Sequence, residues 1–137
     1  MELFTSMNRL NRFYTVQVNE ICATRKMTSM QFLMLRYIHQ VKSCTSMDIV
    51  KAWNVEKPTV SEHIRRLHDK GWVAITQGAD RRVKNLSLTT EGIAVYEEII
   101  IEVERLQQEV TAIFTEDELD VFTRFVAKLE QQFLSYE

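Results

Sequence analysis

Apolar residues recur along this chain at helical spacing. Leu3, Met7, Leu10, Tyr14, Val18 and Ile21 stand three or four residues apart, which predicts an amphipathic helix over residues 2–23. The period returns in MTSMQFLMLRYIHQV through Phe32, Leu35, Ile38 and Val41, with Thr28 or Ser29 able to cap its start. SMDIVKAW reads as a shorter helix behind Thr45 or Ser46, and its Ile49, Val50 and Trp53 can pack inward. Asn54 and Val55 then break the period.

The next stretch, KPTVSEHIRRLHDKGWV, is the most informative. Val60, Ile64 and Leu67 form one apolar stripe, Pro58 falls in the first turn, and Gly71 follows the last turn as a C-terminal cap would. The other face holds Pro58, Thr59, Ser61, Glu62, Arg65 and Asp69, with Arg66 at its edge. Hydroxyls, a carboxylate and guanidinium groups on one helix face suit hydrogen bonding to base edges and phosphates. An ordinary solvated face would carry the same residue types.

Beyond Gly71 the period changes. WVAIT and VKNLSL are strand-like, Gly78 and Ala79 lie in the turn between them, and the tip reads Asp80-Arg81-Arg82, with Lys84 just beyond. A charged hairpin tip can serve solubility alone. A helix-turn-helix followed by a basic-tipped hairpin, however, is a winged helix in outline, in which a helix enters the major groove and a tip arginine reaches the minor groove. From Thr89 the chain is helical again. Ile93, Tyr96, Ile99, Ile100, Val103, Leu106, Val110 and Ile113 form one broad stripe. A final helix offers Leu119, Phe122, Phe125, Val126, Leu129 and Phe133 behind a Thr115–Glu118 capping pair. That apolar surface exceeds what a small winged helix can cover, so pairing with a second copy is the simplest way to bury it. The expected fold is mainly α with a small β-hairpin wing. A DNA-binding lobe over about 28–92 is flanked by dimerisation helices at 1–25 and 93–137.

Charge supports this division. The net charge of −2 hides an uneven distribution: residues 1–56 carry seven basic and four acidic side chains, 57–84 seven and three, and 85–137 three and twelve. Only the local surface has to meet phosphate, and the centre of the chain is basic. No apolar run reaches the ~20 residues of a membrane span, so no membrane partner is expected. Cys22 and Cys44 have no metal-ligand or CxxC spacing and read as reduced thiols of a cytoplasmic protein. There is no Gly-rich phosphate loop, HExxH or GxSxG, so neither an enzyme nor a cofactor is expected. His63 and His68 stand five apart with no Cys or carboxylate partner at metal spacing.

Over nearly its full length the chain resembles the MarR family of transcriptional regulators. MTSMQFLMLRYI is similar to the family's Leu-Thr-x-x-Gln-x-x-x-Leu segment, and VEKPTVSEHIRRLHDKGWV to its recognition helix. ADRRVKNLSLTTEG is similar to its wing, Asp-x-Arg followed after a strand by Leu-Thr and Gly. The resemblance implies a homodimer on a near-palindromic stretch of double-stranded DNA, more often a repressor. Pro58, Thr59, Ser61, Glu62, Arg65 and Arg66 would lie at the major groove, with Asp80, Arg81, Arg82 and Lys84 in the wing, Asp80 bracing Arg82. Pro58 stands where many relatives carry Ser, and Glu62 where they often carry Arg or Lys. A carboxylate there would accept from cytosine N4, or hold Arg65 or Arg66 through a helix-spaced ion pair. The resemblance also implies a cleft for a small aromatic or other hydrophobic effector, lined by Met30, Met34, Arg36, His39 and Trp53. Methionines in such places also serve as core filling. The reactive cysteine of peroxide-sensing relatives would fall near Thr5, not at Cys22, so that mechanism is not carried over. The rival reading is a winged-helix protein-interaction module without direct DNA binding. It would call for an apolar or acidic exposed helix face, against which the cluster of Arg65, Arg66, Arg81, Arg82 and Lys84 argues.

Overall fold

A computed structural model describes residues 1–136. In chain order they form α1 (Glu2–Ala23), α2 (Ser29–Val41), α3 (Ser46–Trp53), α4 (Lys57–Asp69), β1 (Val73–Gln77), β2 (Lys84–Leu88), α5 (Thr90–Thr111) and α6 (Glu116–Leu134). The chain divides into two compact units, residues 1–102 and the stretch from Val103 onward, the division falling within α5.

In the first unit α2 is the hub. It packs on α1, α4 and β2, while α3 packs on α4 and β2, and α4 on β1. Phe32, Met34, Leu35 and Ile38 of α2 are buried with Ile49, Val60, Ile64, Leu67, Val73, Leu86 and Ile99. Each such side chain stabilises the fold by roughly 1.5–3 kcal/mol relative to exposure. The Phe32 and Tyr96 rings stack at 5.9 Å, joining α2 to α5. Threonine, rather than the neighbouring serine, caps both early helices. Thr28 with Gln31 and Thr45 with Asp48 form capping boxes, in which each side chain satisfies the other residue's backbone N–H.

The turn between α3 and α4 depends on Asn54, whose φ of 52° places it in the left-handed region that asparagine tolerates better than most residues. At the far end of α4, Gly71 takes φ 78°. Its N–H donates to the His68 carbonyl at 2.9 Å, and the Trp72 N–H donates to the Leu67 carbonyl at 3.0 Å. This doubly bonded helix end turns the chain directly into the hairpin. β1 and β2 pair antiparallel from Val73↔Leu88 to Gln77↔Lys84. The strands begin one residue later than their apolar runs suggest. The Trp72 N–H is already spent on α4, and the Val83 N–H donates to the Asp80 carbonyl inside the turn. Cys44 adds a third, one-residue edge: its N–H donates to Leu86 O at 3.1 Å and its carbonyl accepts from Leu86 N–H at 2.7 Å.

β2 leads into α5 through a compact junction. The Thr89 hydroxyl donates to the Gly71 carbonyl at 2.6 Å and accepts from the Gly92 N–H at 2.9 Å. The Thr89 N–H donates to the Trp72 carbonyl at 3.0 Å. Gly92 is buried beneath that carbonyl, and a β-carbon built on it would stand 2.0 Å from the Trp72 oxygen.

Two expectations need correction. Val41 is 43% exposed, so the inward stripe of α2 ends at Ile38. The helix expected to run on through Ile113 stops at Thr111, whose hydroxyl turns back onto the Gln107 carbonyl at 2.7 Å just before Thr115 caps α6. In α1 Val18 and Cys22 are buried, while Leu3, Leu10 and Tyr14 are exposed. In the second unit, Phe114 and Phe122 stack at 6.2 Å. No residue of α6 is buried, and Phe122, Phe125 and Phe133 are exposed. No described helix is long and apolar enough to cross a membrane.

The junction makes a direct prediction. Gly92→Ala forces backbone against backbone and should cost about 1–3 kcal/mol. At Gly78 a β-carbon would crowd the Val83 carbonyl oxygen at 3.3 Å, a tight contact without the overlap at Gly92, so Gly78→Ala should cost less than Gly92→Ala. Urea unfolding of both variants measures the difference. Equal midpoints would show that α5 is not locked against Trp72.

Candidate nucleic-acid interface

The apolar stripe of α4 fixes which way its polar face points. Val60, Ile64 and Leu67 are buried, so Pro58, Thr59, Ser61, Glu62, Arg65 and Arg66 all lie exposed on the outer side. A second constraint comes from α2. The Gln31 side chain, only 3% exposed, accepts the Thr28 N–H through Oε1 and turns Nε2 toward His63 Nδ1 at 3.3 Å. That arrangement assigns the amide N–H as donor and Nδ1 as acceptor. It ties α4 to the start of α2.

The outer face is ordered by charge. Glu62 accepts from Arg65 through both oxygens, Nη2 to Oε1 at 2.6 Å and Nε to Oε2 at 3.1 Å. Arg66 Nε donates to the same Oε1 at 3.0 Å. Arg65 Nη1 donates to Asp69 Oδ2 at 3.0 Å. Hydrogen bonds from Arg65 first, and from Arg66 second, hold the Glu62 carboxyl down at about 2. At the end of the helix Lys70 donates to the Lys26 carbonyl and lies 4.7 Å from the centre of the Trp72 ring. Burial, and next the charge of Lys26, lower its pKa.

Asp80, Arg81, Arg82 and Lys84 are exposed on the hairpin. Asp80 Oδ1 accepts the backbone N–H of Arg82 at 3.0 Å and stands 3.5 Å from its Nε. Gly78 N–H donates to the Val83 carbonyl at 3.1 Å, and the Gln77 amide donates to the Arg81 carbonyl at 3.3 Å. The turn is thus held by its own backbone, one carboxylate and the Gln77 side chain, while the Arg82 side chain is left 91% exposed.

Met30, Arg36 and Trp53 line a cavity of about 320 Å³ together with Leu33, Tyr37, Gln40 and Val55. Met34 and His39, expected beside them, are elsewhere. Met34 stands four residues before Ile38 on the core face of α2 and is fully buried, and His39 packs its ring on Tyr96 at 4.7 Å. Leu33, Tyr37 and Gln40 repeat at helical spacing on the opposite face of α2, a signal present in the sequence but hidden by the stronger inward stripe. Cys22 and Cys44 are buried, and burial pushes both thiols up to about 11, away from reactivity. Among the described residues no three His, Cys, Asp or Glu side chains gather where they could hold a metal ion.

Residues 25–83 match the model of the MarR family. The chain is 31% identical over 130 residues to the HTH-type transcriptional regulator YwoH of Bacillus subtilis (strain 168), covering 95% of each. It is similar to a cysteine-to-serine mutant of MarR from E. coli solved in complex with operator DNA, at 27% identity, a TM-score of 0.85 and 94% of each chain. It is also similar to Staphylococcus aureus MarR in complex with salicylate and kanamycin, at 25% identity and a TM-score of 0.91, covering 99% of this chain and 93% of that one.

The ion pairs on α4 can be read by titration. Because the folded pKa of Glu62 lies below its ordinary value, the network is complete above the usual carboxylate range and is lost as pH falls through about 2. Arg65→Ala removes the larger cause and should carry the Glu62 midpoint up toward the ordinary 4.5, as followed by carboxyl-carbon NMR. An unmoved midpoint would refute the pairing.

Proposed function

The chain belongs to the MarR family of transcriptional regulators, and on that premise we propose that it binds double-stranded DNA as a homodimer and represses transcription in the cytoplasm until an effector releases it. One observation carries the DNA-binding reading. The exposed side of α4 presents Thr59, Ser61 and Arg65, and the hairpin beyond it presents an arginine braced by its own aspartate. In this reading residues 28–92 form the DNA-binding lobe, with α4 in the major groove and Arg82 in the minor groove of a near-palindrome whose half-site centres lie about one turn (~10 bp) apart. Operator DNA bound to the E. coli relative supports it.

The exposed apolar side chains of α1 and α6, within residues 1–25 and 93–137, support dimerisation. Leu10, Phe13, Phe125 and Phe133 are each more than half exposed, and a second copy of the chain would cover such surfaces. The cavity on α2 supports the effector. Its volume is at the lower end of small-molecule sites. Tyr37 and Trp53 offer ring faces, and Arg36 offers a carboxylate partner. Trp53 and Val55 flank Asn54, so an occupant would press on the turn that aims α4. Salicylate bound to the Staphylococcus aureus relative supports a small aromatic acid.

The wing gives the sharper test. Arg82→Ala should weaken operator binding by tenfold or more, roughly the 1–3 kcal/mol of one good groove contact. Both it and wild type should scatter light as a particle of twice the 16.2 kDa chain. Asp80→Ala should weaken binding more mildly, although losing an acid near phosphate would strengthen it if charge alone counted. Tighter binding by Asp80→Ala at constant salt rules out bracing, and a 16.2 kDa particle at micromolar concentration rules out the dimer.

For the cavity, salicylate at millimolar concentration should change the fluorescence of a Trp72→Phe protein, in which Trp53 is the remaining tryptophan, and should release operator DNA. Arg36→Ala should abolish both responses. Release that persists unchanged in Arg36→Ala places the effector elsewhere.

A further inference from the structure

The exposed face of α4 is more nearly neutral than a DNA-binding helix needs to be. Lys57, Arg65 and Arg66 share the helix with Glu62 and Asp69, and both arginines are hydrogen-bonded to the one Glu62 carboxylate. A guanidinium on a long flexible stem ordinarily reaches the nearest phosphate, and every sequence offers phosphates. Here that freedom is removed. Arg65 spends its Nε and one Nη2 proton on Glu62 and one Nη1 proton on Asp69, leaving one N–H on each terminal nitrogen. Two donors at the end of a planar group match the paired acceptors O6 and N7 of guanine. Arg66 is held to the same carboxylate through Nε, which leaves its two terminal nitrogens unspent on Glu62 in a side chain that is exposed.

We infer that Glu62 is a positioning residue that sets specificity. It holds Arg65 and Arg66 pointing outward toward base edges and withholds them from indiscriminate phosphate binding. This rests on the DNA-binding reading above and assigns to Glu62 the part of that reading that decides between sequences. Glu62 sits within reach of both arginines because they follow it by three and four residues, the two spacings that share a helix face. The carboxylate is itself exposed, so its replacement leaves the core untouched.

The test uses a duplex selected by the wild-type protein from a random-sequence pool and a scrambled duplex of the same composition. Glu62→Gln keeps the shape and removes the charge. It should bind the scrambled duplex about tenfold more tightly while gaining nothing on the selected one, so that discrimination falls. Its log–log salt slope on the scrambled duplex should steepen by about one for each arginine released to phosphate. Glu62→Asp keeps the charge but shortens the reach by a methylene, and it should lose discrimination too. A Glu62→Asp protein that discriminates like wild type would show that mere repulsion of phosphate suffices, and would overturn positioning. So would a Glu62→Gln protein whose scrambled-duplex affinity and salt slope are unchanged, whether or not it loses one cytosine-containing base pair through a lost direct contact. A wild-type protein that selects no duplex sinks the DNA-binding reading itself. Selection by wild type with unaltered variants sinks this inference alone.

Discussion

The hydrogen-bonded junction at Gly71, Trp72, Thr89 and Gly92 is the constraint on which the rest of the first unit depends. Three elements meet within these residues: the end of α4, the two open ends of the hairpin, and the start of α5. One threonine connects them, with its hydroxyl on Gly71 O, its N–H on Trp72 O, and the Gly92 N–H on its own oxygen. A two-stranded hairpin is marginal when isolated. Here its two ends are closed by bonds that also terminate one helix and cap another. The wing therefore inherits its orientation from the helix before it. A glycine is needed at position 92 because backbone, not side chain, fills the space above it.

The same economy holds α4. Its buried stripe supplies adhesion, but adhesion along a smooth stripe permits a helix to slide. Gln31 adds a directional contact. A nearly buried amide has to satisfy both ends, and with Oε1 committed to the Thr28 cap, Nε2 points at His63. The capping box of α2 thus sets the orientation of a group that registers α4. On the other side of α2, the cavity residues Met30 and Leu33 lie close in sequence to Gln31. The proposed effector site and the proposed recognition helix would consequently share one short run of backbone, a physical route for coupling that needs no long relay.

Much of this was legible in the sequence because local rules and tertiary packing agree. The three-and-four spacing of apolar residues, Pro58 in the first turn, Gly71 after the last, and the Thr115–Glu118 pair each mark a feature that the structure contains. The ion pairs of Glu62 come from helix spacing alone, although spacing leaves open whether Arg65 or Arg66 is the partner, and the geometry engages both. What was hidden depends on distant partners. Cys44 contributes a one-residue bridge, too short for any alternation to announce. Gln31 looks like an ordinary capping residue until His63 is placed against it. Met34 and Leu33 are adjacent methionine and leucine in an apolar run, and only the placement of the neighbouring elements decides which enters the core and which the cavity.

Charge gives these local arrangements a common direction. Residues 85–137 carry twelve acidic side chains against three basic ones, while 57–84 carry seven basic against three acidic. For the DNA partner proposed above, the attraction would come from the central segment, whose net charge is positive. Within the attractive part the logic reverses. Glu62, Asp69 and Asp80 each hold an arginine of that set, and all three acidic residues of the segment are spent in this way. In the proposed complex, attraction over a distance would be left to the net excess of positive charge, while Arg65, Arg66 and Arg82 are paired with carboxylates of the protein itself. Tethering weakens nonspecific adhesion and lowers the entropy lost when an arginine docks, because part of its freedom is already gone in the free protein. A basic surface built this way would give up some raw affinity and keep directional contacts, as the proposed reading of DNA sequence requires.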